Sequence, residues 1–235
     1  MIDIHCHILP GIDHDGPVTH QQSLDMARIA AGDGIHTVIA TPHLTQHGLS
    51  SQEIRQLADV MNFEFRSSGI PLTILPGAEV VATLEPETLS TFTLNGGGYI
   101  LLEFSLGMSS ESLVESVYEL CLAGFRPIIA HAERLPRIQR SPALVAELIA
   151  SGALVQITAE SLTGNMGAEA RTCARFLLRQ RHVHFLATDA HSDVRRRPIL
   201  SEGLMVASSI IGDVSAECLV LQNPAAVIQG KGLNA

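Results

Sequence analysis

The sequence predicts an α/β fold, a closed or nearly closed barrel of parallel strands in one domain spanning residues 1–235. Short apolar runs alternate with longer amphipathic segments along the whole chain, which is typical of successive βα units. Aromatic residues make up only 4% of the chain and tryptophan is absent. The core must therefore consist of Leu, Ile, Val and Ala, the residues of a parallel sheet covered by helices.

Seven apolar runs have the length of strands, and a barrel accommodates them better than an open doubly wound sheet. No low-complexity linker or repeat divides the chain, so we expect one domain. The predicted strands are Ile2–Ile8, Thr37–Thr41, Leu72–Leu75, Tyr99–Phe104, Pro127–Ala130, Leu154–Ile157 and His184–Thr188. The predicted helices are His20–Ala31, Gln52–Ser67, Ser109–Ala123, Pro142–Ser151, Ala168–Arg181 and Leu200–Ile211.

The composition indicates which binding partners and which cellular compartment to expect. A formal net charge of −9 argues against binding to a nucleic-acid backbone, and carboxylates gathered in one pocket would need cations. The four cysteines form no C-x-x-C pair, which favours reduced thiols in the cytoplasm. The chain has no signal-peptide pattern and no apolar run of the roughly 18 residues that a membrane span needs. We therefore expect a soluble cytoplasmic protein without membrane insertion.

Residues that can bind metal ions follow six of the seven predicted strands. The carboxyl ends of parallel strands form the ligand-binding face in such folds, so these side chains should converge. A single His or Glu after a strand is usually a hydrogen-bonded or surface group, but nine convergent positions predict a site. The candidates are His5, His7, a residue of the loop Asp13-His14-Asp15, His43, Glu79, Glu103, His131, Asp189 and His191. Only Thr158 follows the remaining strand.

The spacing of these residues favours a cluster of several ions. His5 and His7 are two apart on a strand and point to the same face, and Asp189-x-His191 repeats this spacing. Mixed histidine and carboxylate ligands suit Zn, Mn or Fe. Ions ~3.5–4 Å apart can hold a hydroxide for in-line attack on phosphorus.

Arginines near the candidate ligands indicate a phosphate substrate. Arg134 follows His131 by three residues, and the run Arg195–Arg197 follows His191 closely. The guanidinium fork binds phosphate oxygens in two-point contact. The sequence therefore predicts a metal-dependent phosphoester hydrolase. A cysteine-nucleophile phosphatase is disfavoured, because the Cys173-x5-Arg179 segment is helical in pattern and free of glycine.

Taken together, these motifs resemble the PHP superfamily and, within it, the CpsB/CapC-type bacterial metal-dependent protein-tyrosine phosphatases. The resemblance runs from the opening segment to Asn223-Pro224. It implies a distorted, TIM-like (β/α)7 barrel with a trinuclear site in which a metal-activated water attacks the substrate. The favoured ion is Mn²⁺, with Fe, Zn or Mg as alternatives. The implied substrate is the phosphotyrosine tail of a bacterial tyrosine kinase of capsule or exopolysaccharide biosynthesis. The motifs that carry the resemblance are the segment Met1–Asp13, Thr41-Pro42-His43, Gly77-Ala78-Glu79, Leu102–Ser105, Ala130–Arg134 and Thr188–His191.

The resemblance also implies a role for each candidate residue. One ion would take His5, His7, Glu79 and Asp189; a second would share Glu79 and add Glu103 and His131; a third would take the loop aspartate, His43 and His191. Arg134, Arg197 and Asp189 would act in catalysis, with the two arginines on the phosphate.

Two departures from the family pattern leave choices open. The family loop reads Gly-Ile-Asp-Asp-Gly, whereas His14 separates Asp13 from Asp15 here, so Asp15 is favoured and either neighbour is an alternative. The family motif Arg-Pro-Pro is replaced by Arg197-Pro198-Ile199 behind two further arginines, so any of the three arginines could bind phosphate.

Two other functions remain as alternatives to a tyrosine phosphatase. A phosphatase of the same superfamily that acts on a small metabolite, such as a histidinol-phosphatase, would share the metals and the fold. An inactive PHP module would serve as a binding domain but should have lost ligands, whereas every expected position is filled here. The sequence does not fix the native metal, the physiological substrate or the oligomeric state.

Overall fold

Short parallel strands and the helices between them form the framework of this computed structural model, which describes residues 1–44, 48–82, 85–105 and 107–233. Within these ranges there are eight strands: β1 Ile2–Cys6, β2 Thr37–Ala40, β3 Thr73–Pro76, β4 Glu79–Val81, β5 Tyr99–Glu103, β6 Arg126–Ile129, β7 Leu154–Thr158 and β8 Phe185–Ala187. The longer helices are α1 His20–Gly32, α2 Ser51–Ser67, α4 Ser110–Leu122, α6 Leu144–Ala150, α8 Ala168–Arg179 and α9 Ser201–Ile211.

Five short helices that the sequence analysis did not predict complete the framework. Each has four to seven residues, at most two turns, so its apolar periodicity is weak. They are α3 Pro86–Leu89, α5 Pro136–Arg140, α7 Ala159–Thr163, α10 Asp213–Cys218 and α11 Gln222–Ile228, and 3₁₀ turns lie at Leu94–Gly96 and Ala132–Arg134.

Local sequence explains where the two longest amino-terminal helices begin. Thr19 and Ser50 precede α1 and α2, and each hydroxyl accepts a hydrogen bond from the third helical residue. Gln22 and Glu53 reach back to the backbone of the capping residue, which completes a capping box at each helix. Both helices begin within one residue of their predicted starts at His20 and Gln52.

The strands form two parallel sheets, ordered β1-β2-β3 and β4-β5-β6-β7-β8. The prediction of seven strands was wrong by one, because the chain breaks its strand at Gly77 and resumes as β4. A Cβ at Gly77 would lie 2.8 Å from the side chains of both Ile39 and Leu94, so only glycine fits this close approach. The break redirects the chain so that Glu79 begins a strand instead of following one.

Single-residue bridges join the two sheets at both edges. The His7 backbone N–H donates to the Ala190 carbonyl at 2.8 Å, and the Asp189 N–H donates to the His5 carbonyl at 2.8 Å. At the other edge, the Glu79 N–H donates to the Pro42 carbonyl at 3.0 Å. In the part of the chain that the structure describes, the two sheets share no continuous run of inter-strand hydrogen bonds at either edge. These bridges nevertheless bring the carboxyl ends of β1, β2 and β8 together with Glu79, the first residue of β4.

Two apolar layers stabilise this arrangement. The smaller one includes Ile4, Leu101, Ile128 and Phe185, which are fully buried between the strands. The larger one packs the helices against the outside of the sheets and includes Cys6, which lies between His5 and His7 in the sequence. Among the described residues, no helix combines the length and apolar character needed to cross a bilayer.

Candidate metal centre

Glu79 is the centre of a cluster of imidazoles. Its side chain is fully buried, and Oε2 lies 3.4 Å from His5 Nε2, 3.5 Å from His7 Nε2 and 3.1 Å from His43 Nδ1. The other oxygen, Oε1, lies 2.9 Å from His131 Nε2. One buried carboxylate therefore faces four histidines that come from the ends of β1, β2 and β6.

Asp189 provides the second carboxylate of the cluster. Its Oδ1 lies 3.3 Å from His5 Nε2, 3.7 Å from His7 Nε2 and 3.7 Å from His191 Nδ1. Glu103, at the end of β5, reaches the periphery with Oε2 3.8 Å from His43 Nδ1. The nine candidates that the sequence placed after strands thus come together in one cavity.

Hydrogen bonds fix which nitrogen each buried imidazole presents to the cluster. Gln156 Oε1 accepts from the His131 backbone N–H at 2.8 Å, so this atom is the carbonyl oxygen and His5 Nδ1, 3.1 Å away, must donate to it. Asp13 Oδ2 accepts from His7 Nδ1 at 3.1 Å, and the Asp189 backbone carbonyl accepts from His191 Nδ1 at 2.9 Å. All three rings consequently direct Nε2 into the cluster, as imidazole ligands of metals do.

The two aspartates in the loop after β1, Asp13 and Asp15, make different contacts. Asp13 is buried and also accepts from the His43 backbone N–H at 2.8 Å, so both of its oxygens are engaged in orienting histidines. Asp15 lies closer to the cavity opening, with Oδ2 3.3 Å from His191 Nε2. The His14 side chain is 83% exposed. The geometry favours Asp15 over its two neighbours as the loop ligand.

Two guanidinium groups converge on the free oxygen of Asp189. Arg134 Nη1 and Arg196 Nη2 each lie 2.6 Å from Asp189 Oδ2. Arg196 also approaches Asp15, at 3.8 Å. The prediction named Arg197, whose side chain is exposed, and of the three consecutive arginines it is Arg196 that contacts the cluster. The role of Arg197 stays a prediction.

Opposing charges shift the pKa values of the cluster. Burial lowers the pKa of His5, but the charges of Glu79 and Asp189 outweigh it and raise the pKa to about 9. Burial likewise opposes protonation of His43, and hydrogen bonding and charge from Glu79 raise its pKa to about 9. Burial would raise the pKa of Glu79, but the surrounding histidines hold it well below its usual value. Without an ion, the acidic groups retain their charge by holding protons on neighbouring imidazoles.

The cluster is also a site of backbone strain. His131, Asp189 and Arg196 have φ angles of 33°, 51° and 51°, in the left-handed region that residues other than glycine rarely adopt. Such strain is concentrated at functional sites, where the surrounding structure enforces it. Here it aims one histidine, one carboxylate and one guanidinium at a common cavity.

The donor atoms fit divalent cations. His5 Nε2 and His7 Nε2 lie 3.2 Å apart, and with both Nδ1 atoms donating elsewhere, two neutral rings would oppose their lone pairs unless a positive charge lay nearby. Among the described residues, Glu79 Oε2 and His191 Nε2 are buried and make no well-aligned hydrogen bond, although His43 Nδ1 and Asp15 Oδ2 lie 3.1 Å and 3.3 Å from them. Among the residues that the structure describes, three sets have donor atoms within 4.8 Å of one another: His5, His7 and Asp189; His43, Glu79 and Glu103; and His7, His43 and His191.

The cysteine alternative is not supported by the structure. Cys173 is buried on α8, and burial raises its pKa to about 12. Arg179 lies on the same helix, so no loop surrounds the thiol to bind an anion.

Gln156 is a residue of the site that sequence reasoning missed, and Arg196 is one that it left undistinguished among three candidates. Gln156 is a fully buried polar residue within the apolar strand β7, and this isolated polar position was the only signal available. Nothing in the sequence separated Arg196 from its two neighbours, because the backbone turn that aims it depends on the fold.

Known proteins place these observations in a family. The family model for capsular polysaccharide synthesis proteins of the CpsB/CapC type matches residues 1–229. The chain is 38% identical over 219 residues to tyrosine-protein phosphatase YwqE of Bacillus subtilis, covering 90% of this chain and 85% of the relative. It is 28% identical over 240 residues to tyrosine-protein phosphatase CpsB of Streptococcus agalactiae, covering 97% of this chain and 98% of the relative.

A solved structure confirms the predicted α/β class. The crystal structures of YwqE from Bacillus subtilis and CpsB from Streptococcus pneumoniae, described as unique metal-dependent tyrosine phosphatases, include a chain that superposes with a TM-score of 0.91. The two chains are 33% identical, and the match covers 100% of this chain and 96% of that chain. By the family model, the sequence identity and the shared fold, this protein belongs to the CpsB/CapC family.

Proposed function

We propose that this protein is a metal-dependent protein-tyrosine phosphatase that hydrolyses phosphotyrosine on a bacterial tyrosine kinase of capsule or exopolysaccharide biosynthesis. The observation that carries the proposal is the convergence of nine histidine and carboxylate side chains, with Glu79 and Asp189 at the centre and two arginines at the edge. The names of its relatives support the same activity.

The donor set would hold three divalent ions, with Mn²⁺ favoured over Fe, Zn or Mg. His5, His7, Glu79 and Asp189 would hold the first; Glu79, Glu103 and His131 the second; and Asp15, His43 and His191 the third. Ions bound there would supply the positive charge that activates water and stabilises the departing oxygen.

The arginines would bind the transferred phosphoryl group. Arg134 and Arg196 both contact one oxygen of Asp189, so their forks are already directed at the edge of the cluster. A phosphate arriving there would offer three oxygens in place of the single carboxylate oxygen that the two arginines share. Asp189 would then be free to coordinate the cations, while the guanidinium groups would neutralise charge on the phosphoryl oxygens.

A cytoplasmic location would suit a phosphatase that acts on a bacterial tyrosine kinase. All four cysteines are free thiols, in keeping with a reducing compartment.

A parallel assay of two variants tests the activity. Purified protein reconstituted with Mn²⁺ should release phosphate from a phosphotyrosine peptide, and excess chelator should abolish the release. His131→Ala should lower turnover by at least about 100-fold, since it removes a proposed ligand. His20→Ala is the matched control, because His20 is an exposed residue that contacts Glu64.

Histidinol phosphate assayed under the same conditions distinguishes the metabolite alternative. A clear preference for histidinol phosphate would overturn the tyrosine-phosphatase assignment while leaving the metal site intact. Absence of turnover with either substrate in the Mn²⁺-loaded protein would favour the inactive binding module.

A further inference from the structure

Glu133 is a fully buried acidic residue beside the metal-ligand cluster, and it is not one of the nine candidate ligands. It lies in the 3₁₀ turn Ala132–Arg134, between the proposed ligand His131 and the proposed phosphate-binding residue Arg134. Burying a carboxyl group costs free energy that an apolar side chain would not. Among the described residues, Glu133 Oε2 has no hydrogen-bond partner, so this cost is only partly offset. A buried acid that is costly to the fold, at this place, indicates a role in the site.

The side chain of Glu133 binds the carboxyl end of β7. Its Oε1 atom accepts from the Thr158 backbone N–H at 3.1 Å and from the Ser161 hydroxyl at 2.5 Å. Thr158 is the last residue of β7, and Ser161 lies in α7, which follows directly. The end of β7 contributes none of the nine candidate ligands. It instead holds the turn that carries a proposed ligand and a proposed phosphate-binding group.

Backbone hydrogen bonds hold the same turn at other points. Gln156 Oε1 accepts from the His131 N–H at 2.8 Å, and Gln139 Nε2 donates to the Glu133 carbonyl at 2.8 Å. The Arg134 N–H donates to the His131 carbonyl at 2.8 Å, so the positions of these two residues are linked. His131 has a φ angle of 33°, and such a strained conformation persists only where the surroundings enforce it. Within this set, Glu133 contributes the contact made by a side chain of the turn itself.

We infer that Glu133 is a positioning residue, which binds the end of β7 and thereby directs His131 at the cations and Arg134 at the phosphoryl group. The inference rests on the proposed function, which takes His131 as a metal ligand and Arg134 as a phosphate-binding residue. Arg134 Nη1 lies 2.6 Å from Asp189 Oδ2, so a small shift of the turn would withdraw the guanidinium from the edge of the cluster. A displacement of about 1 Å at an active site can cost about 100-fold in rate.

Two substitutions at Glu133 separate its accepting oxygen from its charge. Glu133→Met removes the acceptor of the Thr158 N–H and the Ser161 hydroxyl but keeps an unbranched side chain of similar length. Glu133→Gln keeps one carbonyl oxygen for both donors and places its NH₂ group where Oε2 was. Glu147→Met is the matched control, because Glu147 is exposed on α6.

The experiment measures two affinities in the absence of turnover. Calorimetry gives the affinity of the Mn²⁺-loaded protein for phenylphosphonate, and competition with a chelator gives the affinity of the metal-free protein for Mn²⁺. Glu133→Met should weaken phenylphosphonate binding about 10- to 100-fold, the contribution of one hydrogen bond to a charged group. It should also weaken binding of at least one Mn²⁺ ion about 10- to 100-fold, as loss of other groups that orient ligands does. Glu133→Gln and Glu147→Met should retain both affinities.

An unchanged affinity for either probe in Glu133→Met, or an equal loss in Glu133→Gln, would overturn the inference. If Glu133→Met does not fold, Ser161→Ala replaces it, because it removes one of the two donors to Glu133 without changing a charge. Ser161→Ala should weaken phenylphosphonate binding in the same direction by a smaller factor. The wild-type affinity in this variant would overturn the inference.

A double-mutant cycle with Arg134 distinguishes positioning from a general loss of stability. If Glu133 acts through Arg134, Glu133→Met should weaken phenylphosphonate binding less in an Arg134→Ala background than in the wild-type background. A loss of the same size in both backgrounds would overturn the inference.

Hydrolysis of a phosphotyrosine peptide by the same preparations separates the inference from the proposed function. The expected losses of affinity, without any hydrolysis by the wild-type protein, would overturn the proposed function and support the positioning role. Hydrolysis by the wild-type protein, with unchanged affinities in Glu133→Met, would overturn the inference alone. Absence of both hydrolysis and phenylphosphonate binding in the wild-type protein would overturn both.

Discussion

Replacing Asp13 by asparagine should weaken metal binding without removing a ligand. The Asp13 carboxylate accepts from His7 Nδ1 at 3.1 Å and from the His43 backbone N–H at 2.8 Å. Asparagine keeps one acceptor oxygen, but its NH₂ group must then face one of the two N–H donors. The variant therefore loses one hydrogen bond to a charged group, worth about 1.5–3 kcal/mol.

That energy predicts a loss of about 10- to 100-fold in Mn²⁺ affinity, which is also the range for outer groups that orient histidine ligands. Competition of the protein with a fluorescent chelator for Mn²⁺ would measure both affinity and the number of ions per chain. Asp13→Asn should retain the wild-type number of ions at lower affinity. The matched variant Asp15→Asn, two residues away, should bind one ion fewer.

The opposite pattern would refute this reasoning. If Asp13→Asn lost an ion and Asp15→Asn kept all of them, the two aspartates would have exchanged roles. If Asp13→Asn bound Mn²⁺ with wild-type affinity, orientation of His7 and His43 by this carboxylate would be unimportant.

Three further predictions follow from the site. Gln156→Met should lower the free energy of unfolding of the metal-free protein by about 2–5 kcal/mol, as measured in urea. The reason is that His5 Nδ1 and the His131 backbone N–H, both buried donors, lose their acceptor. A decrease below about 1 kcal/mol would contradict this prediction. Mn²⁺ binding should release protons below pH 9, and the affinity for Mn²⁺ should rise as the pH rises toward 9. The reason is that His5 and His43, whose pKa values are raised to about 9 in the metal-free protein, must lose a proton to bind an ion. Calorimetry in buffers of different ionisation enthalpy would detect the released protons, and an affinity independent of pH would contradict the prediction. Iodoacetamide should leave phosphatase activity unchanged, since the Cys173 thiol is buried and its pKa is raised to about 12, whereas rapid inactivation with labelling of this residue would restore the cysteine mechanism.

Local pattern in the sequence predicted the strands and helices that have clear periodicity or start signals. The apolar runs predicted as strands at Tyr99–Phe104 and Leu154–Ile157, which are β5 Tyr99–Glu103 and β7 Leu154–Thr158 in the structure, are examples. The break at Gly77 could not be predicted, because the reason for glycine there is the approach of Ile39 and Leu94 from distant parts of the chain.

The candidate site shows the same division between local and long-range information. Residues that follow strands, such as His131 after β6 and Asp189 after β8, could be identified from their position alone. The orienting roles of Gln156 and Asp13 could not, because each is defined by contacts with histidines on other segments. The selection of Arg196 depends on a left-handed backbone conformation that three consecutive arginines do not encode.

Anomalous diffraction at the manganese edge from crystals of the Mn²⁺-loaded protein would test the central claim most directly. We expect three anomalous peaks within the cavity that Glu79 and Asp189 share, each within bonding distance of the proposed histidine and carboxylate ligands. Peaks elsewhere on the protein, with none bonded to His7, Glu79 or Asp189, would contradict the account.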